Sequence, residues 1–537
     1  MSNKRDRRVN IIGAGLSGLS AAVTLAKMGA ACNLISSQPS ERAQSVLAEG
    51  GINAALDTMG EHDTTAEHFS DTMKGGCFLE SETAVRNLTE NAPGIVSWLF
   101  RLGTPFQSEN GNLILRNFGG QKKKRTAYAK SSTGKMIMTA LIDETRKYEA
   151  QGLITRYPHH EMTDMKVRDG KLISVAVRDN YTGEFISFSG CTILCTGGLN
   201  GFFEGMTTGT SQNTGNAAAI AFSAGAELAN LEFIQYHPTT VGISGKRMLV
   251  SEAARGEGGR LFIMKDGKPY YFMEEKYPEL GNLMPRDVVS REMFFVTHDP
   301  FFSGSVMLDM TALSDAVWNN KLSDLRAELI SYLDCDPKNE PVAVSPGIHF
   351  FMGGLHVNDR HETNIEGLFA AGEAACIYHG ANRLGGNSML GAVFGGKTAA
   401  EAAAQRAASI HETEDAPEPA SEEYEYFPAD SGVSDRIKQI LFDGLGIVRE
   451  GKILSETADK LREIYEDTAL NAADKKRAAL ALAMAESALA RKESRGAHYR
   501  SDYPETSEKF HSRTVAKMVS GKPEIRFEPL ENKEENE

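Results

Sequence analysis

The sequence predicts an α/β fold: a Rossmann-like domain assembled from distant segments, interrupted by an inserted second domain and followed by a helical C-terminal region. Three observations predict it. The chain opens as strand, glycine loop and helix. Two later apolar runs also end in glycines. A long mixed stretch separates those two runs. Open parallel sheets are built from such strand–loop–helix units.

The elements follow in chain order. Residues 9–12 form a short β-type apolar run. Residues 16–28 carry helical apolar spacing through Leu16, Leu19, Ala22, Val23 and Ala26, and residues 31–36 read as a second strand, completing a βαβ opening. Thr192–Cys195 is a third apolar run, ending in Thr196-Gly197-Gly198. Gly367–Ala371 is a fourth, ending in Gly372-Glu373. Residues 225–350 hold their own glycine loop, R-G-E-G-G at 255–259, and read as the inserted domain. An Ala-rich helix follows Lys397, residues 411–432 form an acidic, Pro-containing linker, and residues 433–493 are helical in pattern. The tail ENKEENE is charged and expected to be disordered.

Bulk properties narrow the function. A chain of 537 residues exceeds a single hydrophobic core. A formal net charge of −14 argues against nucleic acid or an anionic membrane as the main partner. For an anionic ligand, such a protein must gather cations locally. The six cysteines form no C-x-x-C pair and no iron–sulfur, zinc or haem pattern, so no metal site is expected and a reducing compartment fits. MSNKRDRR followed by an apolar stretch mimics a signal peptide, with Arg7-Arg8 as a twin arginine, but glycines at phosphate-loop spacing interrupt the stretch. No apolar run of ~20 residues predicts a membrane span. The expected location is the cytoplasm.

G-A-G-L-S-G at 13–18 is the first chemical signal. Gly13 permits the tight turn, Gly15 lets backbone amides approach a pyrophosphate, and Gly18 lets the helix pack on the strand. The helix N-terminus adds its partial positive charge. The acidic ribose ligand expected after the second strand is missing: Ser36-Ser37 stand there.

At this point the residues resemble a family. From about Val9 to Ala400 the chain is similar to the flavoprotein subunit of fumarate reductase and succinate dehydrogenase, and to the related L-aspartate oxidase. The matching segments are GAGLSG (13–18), AEGG (48–51), FGG (118–120), CTGG (195–198), EFIQYHPT (232–239), SEAARGEGG (251–259), PRD (285–287), IHFFMGG (348–354), AAGE (370–373), HGANRLGGNSML (379–390) and ESRGAH (493–498). The resemblance implies an FAD-binding domain over 1–224 and 351–410, an α+β capping domain over 225–350 that moves over the flavin, and a helical domain with its tail over 433–537. It implies FAD held by Gly13, Gly15, Gly18, Ser36, Gly50, Gly51, Gly198, Glu373 and Ser388. Two positions depart from the pattern. Gln44 stands where many members carry the histidine that binds FAD covalently, so FAD is expected to be non-covalent, with a lowered potential that favours alkene reduction. Asn216 stands where an acidic residue is usual, which removes one ribose contact.

The resemblance also implies a chemistry: reduction of fumarate to succinate by hydride from flavin N5 and a proton from an arginine. Arg286 is the implied proton donor, with Glu252 and Arg255 as its relay. Their i,i+3 spacing puts both on one face if the segment is helical. His349, Arg383 and His237 are the implied carboxylate clamp, Ser251 adds a hydroxyl, and Phe118 packs nearby. A cationic pocket in an acidic protein answers the charge problem. L-Aspartate oxidase is the nearest alternative, but the 116–126 loop is basic and offers no acid for the substrate ammonium. A longer or aromatic enoate is another. A pure electron carrier is a third, which has no use for a carboxylate clamp. The electron donor is not encoded: a separate iron–sulfur subunit or a diffusible reduced flavin or nicotinamide would serve. Lys122–Arg125 reads as a solvated loop, or as a docking patch for a partner.

Overall fold

A computed structural model describes residues 8–130, 132–302, 304–409, 426 and 428–530. Its centre is a five-stranded parallel sheet. The strand order is Leu368–Ala370, Thr192–Leu194, Val9–Ile12, Cys32–Ser36 and Ile154–Pro158. The three segments expected to share one sheet do so: Ile11 faces Ile193 on one side and Leu34 on the other, and Ile193 faces Phe369. Val9, Ile11, Ile193 and Cys32 are fully buried, as in a sheet covered on both faces. Helix Leu16–Lys27 leaves the first strand through the glycine loop. Helix Asn387–Ser409 crosses it so closely that a Cβ on Gly396 would lie 2.2 Å from the Ser17 carbonyl oxygen.

An antiparallel meander, His160–Arg168, Lys171–Asp179 and Phe185–Ser189, leads back into the sheet. Strands Ile234–Ile243 and Val342–Phe351 pair antiparallel at the heart of a separate six-stranded sheet. Helices Glu252–Gly256, Arg286–Thr297 and Ser323–Leu333 accompany it around its own core of Leu261, Val289, Met293, Leu308, Trp318 and Leu329. The glycine loop at 255–259 ends the first of these helices: Gly258 has φ +115°, and a Cβ on Gly259 would meet the Ala254 carbonyl at 2.7 Å.

Helices Ser431–Gly444, Gly451–Glu466 and Ala472–Ala490 form the C-terminal region. Beyond them lies an element that the helical reading did not assign. Ser512–Val519 and Lys522–Pro529 make a β-hairpin whose first strand pairs with Leu228–Ala229, which pairs in turn with Gly354–His356. Most of the acidic linker and all of ENKEENE lie outside the described residues, as does the N-terminus through Arg7. Among the described residues no helix is long and apolar enough to cross a membrane.

Candidate active site

A cavity of about 510 Å³ runs from the first glycine loop to the base of the six-stranded sheet. That volume falls in the range of ligand sites. Gly13, Gly15, Ser36, Gly50, Gly51, Glu373 and Ser388 line it; Gly18 and Gly198 stand behind it. Backbone proximity explains the glycines. Gly13 has φ +111°, and a Cβ there would lie 2.1 Å from the Cys195 carbonyl oxygen. A Cβ on Gly18 would lie 1.8 Å from the Gly13 oxygen, so this glycine closes the strand–helix turn. Ser45 Oγ accepts from the first amide of the helix, Leu16 N, at 3.1 Å, and the helix N-cap, Gly15, has no side chain to occupy the amides after it. Those amides suit a pyrophosphate. A Cβ on Gly198 would meet Glu373 Oε1 at 2.6 Å. Glu373 Oε1 accepts from Phe351 N at 3.0 Å, and burial pushes its carboxyl up to about 7. Gln44 lines the cavity and its Oε1 accepts from Thr210 N at 2.6 Å. A bare glycine cradle, helix amides and an elongated cleft fit FAD.

The far end is cationic. Arg286 begins helix Arg286–Thr297 after Pro285, which has the fixed φ suited to a helix entry. Its Nε and Nη2 donate to Glu252 Oε2 at 2.9 and 2.6 Å, and its Nη1 donates to Gln235 Oε1 at 3.2 Å. Glu252 and Arg255 share the short helix Glu252–Gly256, with Arg255 Nη2 3.6 Å from Glu252 Oε1. Arg255 does not line the cavity; its Nη1 donates to the Asn282 carbonyl at 2.5 Å, behind Glu252. Burial alone would raise Glu252, but Arg286 and Arg255 overcome it and hold the carboxylate below its ordinary range. Gly119 N also donates to Glu252 Oε1.

Arg383 donates from Nη2 to the same Gln235 oxygen at 3.0 Å, and its guanidinium lies 4.5 Å from the Phe350 ring centre. The rings of His237 and His349 are 5.3 Å apart. Burial and then the charge of Arg286 drive both imidazoles well below the usual histidine range, so both are neutral at neutral pH. His349 Nδ1 lies 2.7 Å from Thr208 Oγ1, and the fully buried His237 Nε2 has no hydrogen-bond partner among the described residues. Ser251 precedes the Glu252 helix and lines the cavity with Phe118. The cluster expected from sequence therefore converges, with Arg255 one layer back.

Two residues of this end were missed. Gln235 shares one oxygen between both guanidiniums and donates from Nε2 to Asn382 Oδ1 at 2.7 Å. It precedes His237 by two on a strand, so alternation alone puts the pair on one face. Glu49, within AEGG, is a half-buried residue of the cavity wall. Burial, then repulsion from Glu328 that outweighs the pull of Arg116, raises it to about 8. The basic run at 122–125 is largely neutralised internally. Lys124 pairs with Glu61 at 3.1 Å, and the buried Arg125 pairs with Asp63 and Asp71 at 2.9 and 3.0 Å.

Comparisons with known proteins find relatives along nearly the whole chain. A model of the FAD binding domain matches residues 8–389, and one of the fumarate reductase flavoprotein C-terminal region matches 434–536. The chain is 37% identical to the succinate dehydrogenase flavoprotein subunit of Bacillus subtilis, over 97% of this chain and 96% of that one. It is 31% identical to the L-aspartate oxidase of Streptomyces coelicolor, over 92% and 88%. An E. coli quinol fumarate reductase FrdA variant superposes with a TM-score of 0.88 at 29% identity, covering 98% of this chain and 97% of that one.

Proposed function

The chain belongs to the family of fumarate reductase and succinate dehydrogenase flavoprotein subunits and is an FAD-dependent oxidoreductase of that type; from that premise we propose that it reduces fumarate, or a closely related enoate dicarboxylate, to succinate. The observation that carries this reading is the buried Arg286, aimed into the cavity beside neutral imidazoles and a second arginine.

FAD, when bound, supplies the hydride. The remaining work falls to this chain. Arg383 offers two donors to one substrate carboxylate, and His349 and His237 donate neutral N–H bonds without adding charge. Burial removes water from both ends of the substrate, which strengthens each of these contacts. Arg286 holds the proton destined for the second alkene carbon. An arginine is a weak acid, so once it has given up its proton it must be refilled through a group bonded to it. Glu252 is bonded to two of its nitrogens, and Arg255 stands behind Glu252 as the next group of the relay. Ser251 adds a hydroxyl to the carboxylate clamp.

Gln44 supports the reductive direction and non-covalent FAD, since an amide forms no histidyl–flavin bond. The electron donor is an iron–sulfur subunit or a diffusible carrier, on the cytoplasmic side. L-Aspartate oxidation is the second reading, favoured by the Streptomyces relative. Against it, the loop that would meet an ammonium presents Gln121, whose Nε2 donates to the Gly385 carbonyl at 2.7 Å.

Acid precipitation tests the attachment: flavin in the supernatant supports the reading, and flavin in the pellet contradicts it. Turnover with reduced methyl viologen and fumarate, with succinate identified as product, tests the substrate. Hydrogen peroxide formed from aspartate at a higher rate would instead establish the oxidase.

A further inference from the structure

Dinucleotide-binding βαβ units commonly place a carboxylate at the end of the second strand, where it accepts hydrogen bonds from ribose hydroxyls. Here that strand ends in Ser36, followed by Ser37, and neither supplies a carboxylate. A carboxylate reaches the same place from another strand. Ser36 pairs with Pro158, the chain turns through His159 at φ 63°, and a new strand starts at His160. Glu161 therefore stands beside the end of the second strand, and it lines the cavity together with Ser36 and Ser37.

The other carboxylates lining this cavity are engaged elsewhere. Glu252 is bonded to Arg286, Glu373 accepts from the Phe351 amide, and Glu49 lies by Arg116 and Ser251. Glu161 is held differently. Asn216, the first residue of helix Asn216–Ser223, donates from Nδ2 to Glu161 Oε1 at 3.2 Å. The Asn216 oxygen accepts from Arg477 Nη1 at 2.7 Å, and the same nitrogen donates to the Thr214 carbonyl at 3.0 Å. Arg477 belongs to helix Ala472–Ala490 of the C-terminal region. The asymmetry of the amide matters. Its oxygen faces the cation and its NH2 faces the carboxylate, so a carboxylate at 216 would repel Glu161 where the asparagine orients it.

We propose that Glu161 is the carboxylate that accepts hydrogen bonds from the adenosine ribose of FAD, oriented by Asn216 and, through it, by Arg477. The acid absent from the second strand and from position 216 is thus supplied by the neighbouring meander. The inference rests on FAD as cofactor and is independent of which enoate is reduced.

The test uses the full chain depleted of flavin, titrated with FAD, ADP and 2′,3′-dideoxy-ADP. The parent is expected to bind ADP about tenfold more tightly than dideoxy-ADP, the size of one charge-assisted hydrogen bond. Glu161→Gln and Glu161→Ala are expected to bind FAD about tenfold more weakly and to treat the two nucleotides alike. The ratio is internal to each protein, so a general loss of structure does not imitate it. A parent that fails to distinguish the nucleotides overturns the proposal without any variant. Glu161→Ala retaining the parental ratio, or FAD affinity within twofold of the parent, overturns it as well.

Discussion

Arg286 is 8% exposed, lies against a carboxylate below its ordinary range, and shares Gln235 with a second guanidinium. A substitution there removes the proton donor and leaves the clamp. Arg286→Gln is expected to lower turnover roughly 10²–10⁴-fold, the usual worth of a positioned general acid, while fumarate still perturbs the flavin spectrum on binding. Arg383→Gln is expected to raise KM more than it lowers kcat, because it removes a carboxylate contact. Equal losses of kcat in both variants, with unchanged KM, would refute this division of labour. Glu49 gives a pH prediction. Its folded carboxyl titrates near 8 against an ordinary 4.5, so the fold favours the protonated form. Its contribution is full below pH 4.5 and is lost as pH rises through 8. The Tm of Glu49→Gln minus that of the parent should therefore grow between pH 5 and pH 8 and then level off. A constant difference across that range would contradict it.

At the scale of elements, the strand–glycine–helix unit governs cofactor retention. A methyl on Gly18 would meet the Gly13 carbonyl oxygen at 1.8 Å, a rigid backbone atom. Gly18→Ala is expected to yield protein that loses flavin on gel filtration; a fully loaded variant would refute the packing argument. This unit was legible because its rule is local: a turn, a close approach and a helix start within six residues. Arg286, Glu252 and Arg383 were legible only through resemblance, since their convergence spans more than a hundred residues of chain. Gln235 carried a usable signal in its i,i+2 relation to His237. The hairpin Ser512–Pro529 carried a weaker one. Its second strand alternates, as in Glu524, Ile525, Arg526 and Phe527, but the strand that its first strand joins is two residues long and lies almost three hundred residues upstream. Glu161 was illegible for the same reason: it reaches the second strand through the pairing of Ser36 with Pro158.

At the scale of the molecule, the C-terminal region is bolted to the base of the substrate site. Arg491, fully buried, donates to Glu232 Oε1 at 2.6 Å and to Glu493 Oε1 at 2.9 Å, and Arg449 donates to the Glu232 carbonyl at 2.7 Å. Glu232 lies three residues before Gln235. Removing one partner of a buried pair costs about 3–5 kcal/mol, whereas replacing both costs less. Arg491→Leu is thus expected to lower the urea midpoint more than Arg491→Leu combined with Glu232→Leu; the reverse order would dismiss the pair as a fastener. The central claim, however, concerns the whole machine: a flavin, an arginine acid and a carboxylate clamp acting on one alkene. Anaerobic stopped-flow mixing of the pre-reduced protein with fumarate tests it most directly. The account predicts rapid return of the oxidised flavin spectrum with one succinate formed per flavin, and loss of that phase in Arg286→Gln. Flavin that stays reduced in the presence of saturating fumarate would contradict it.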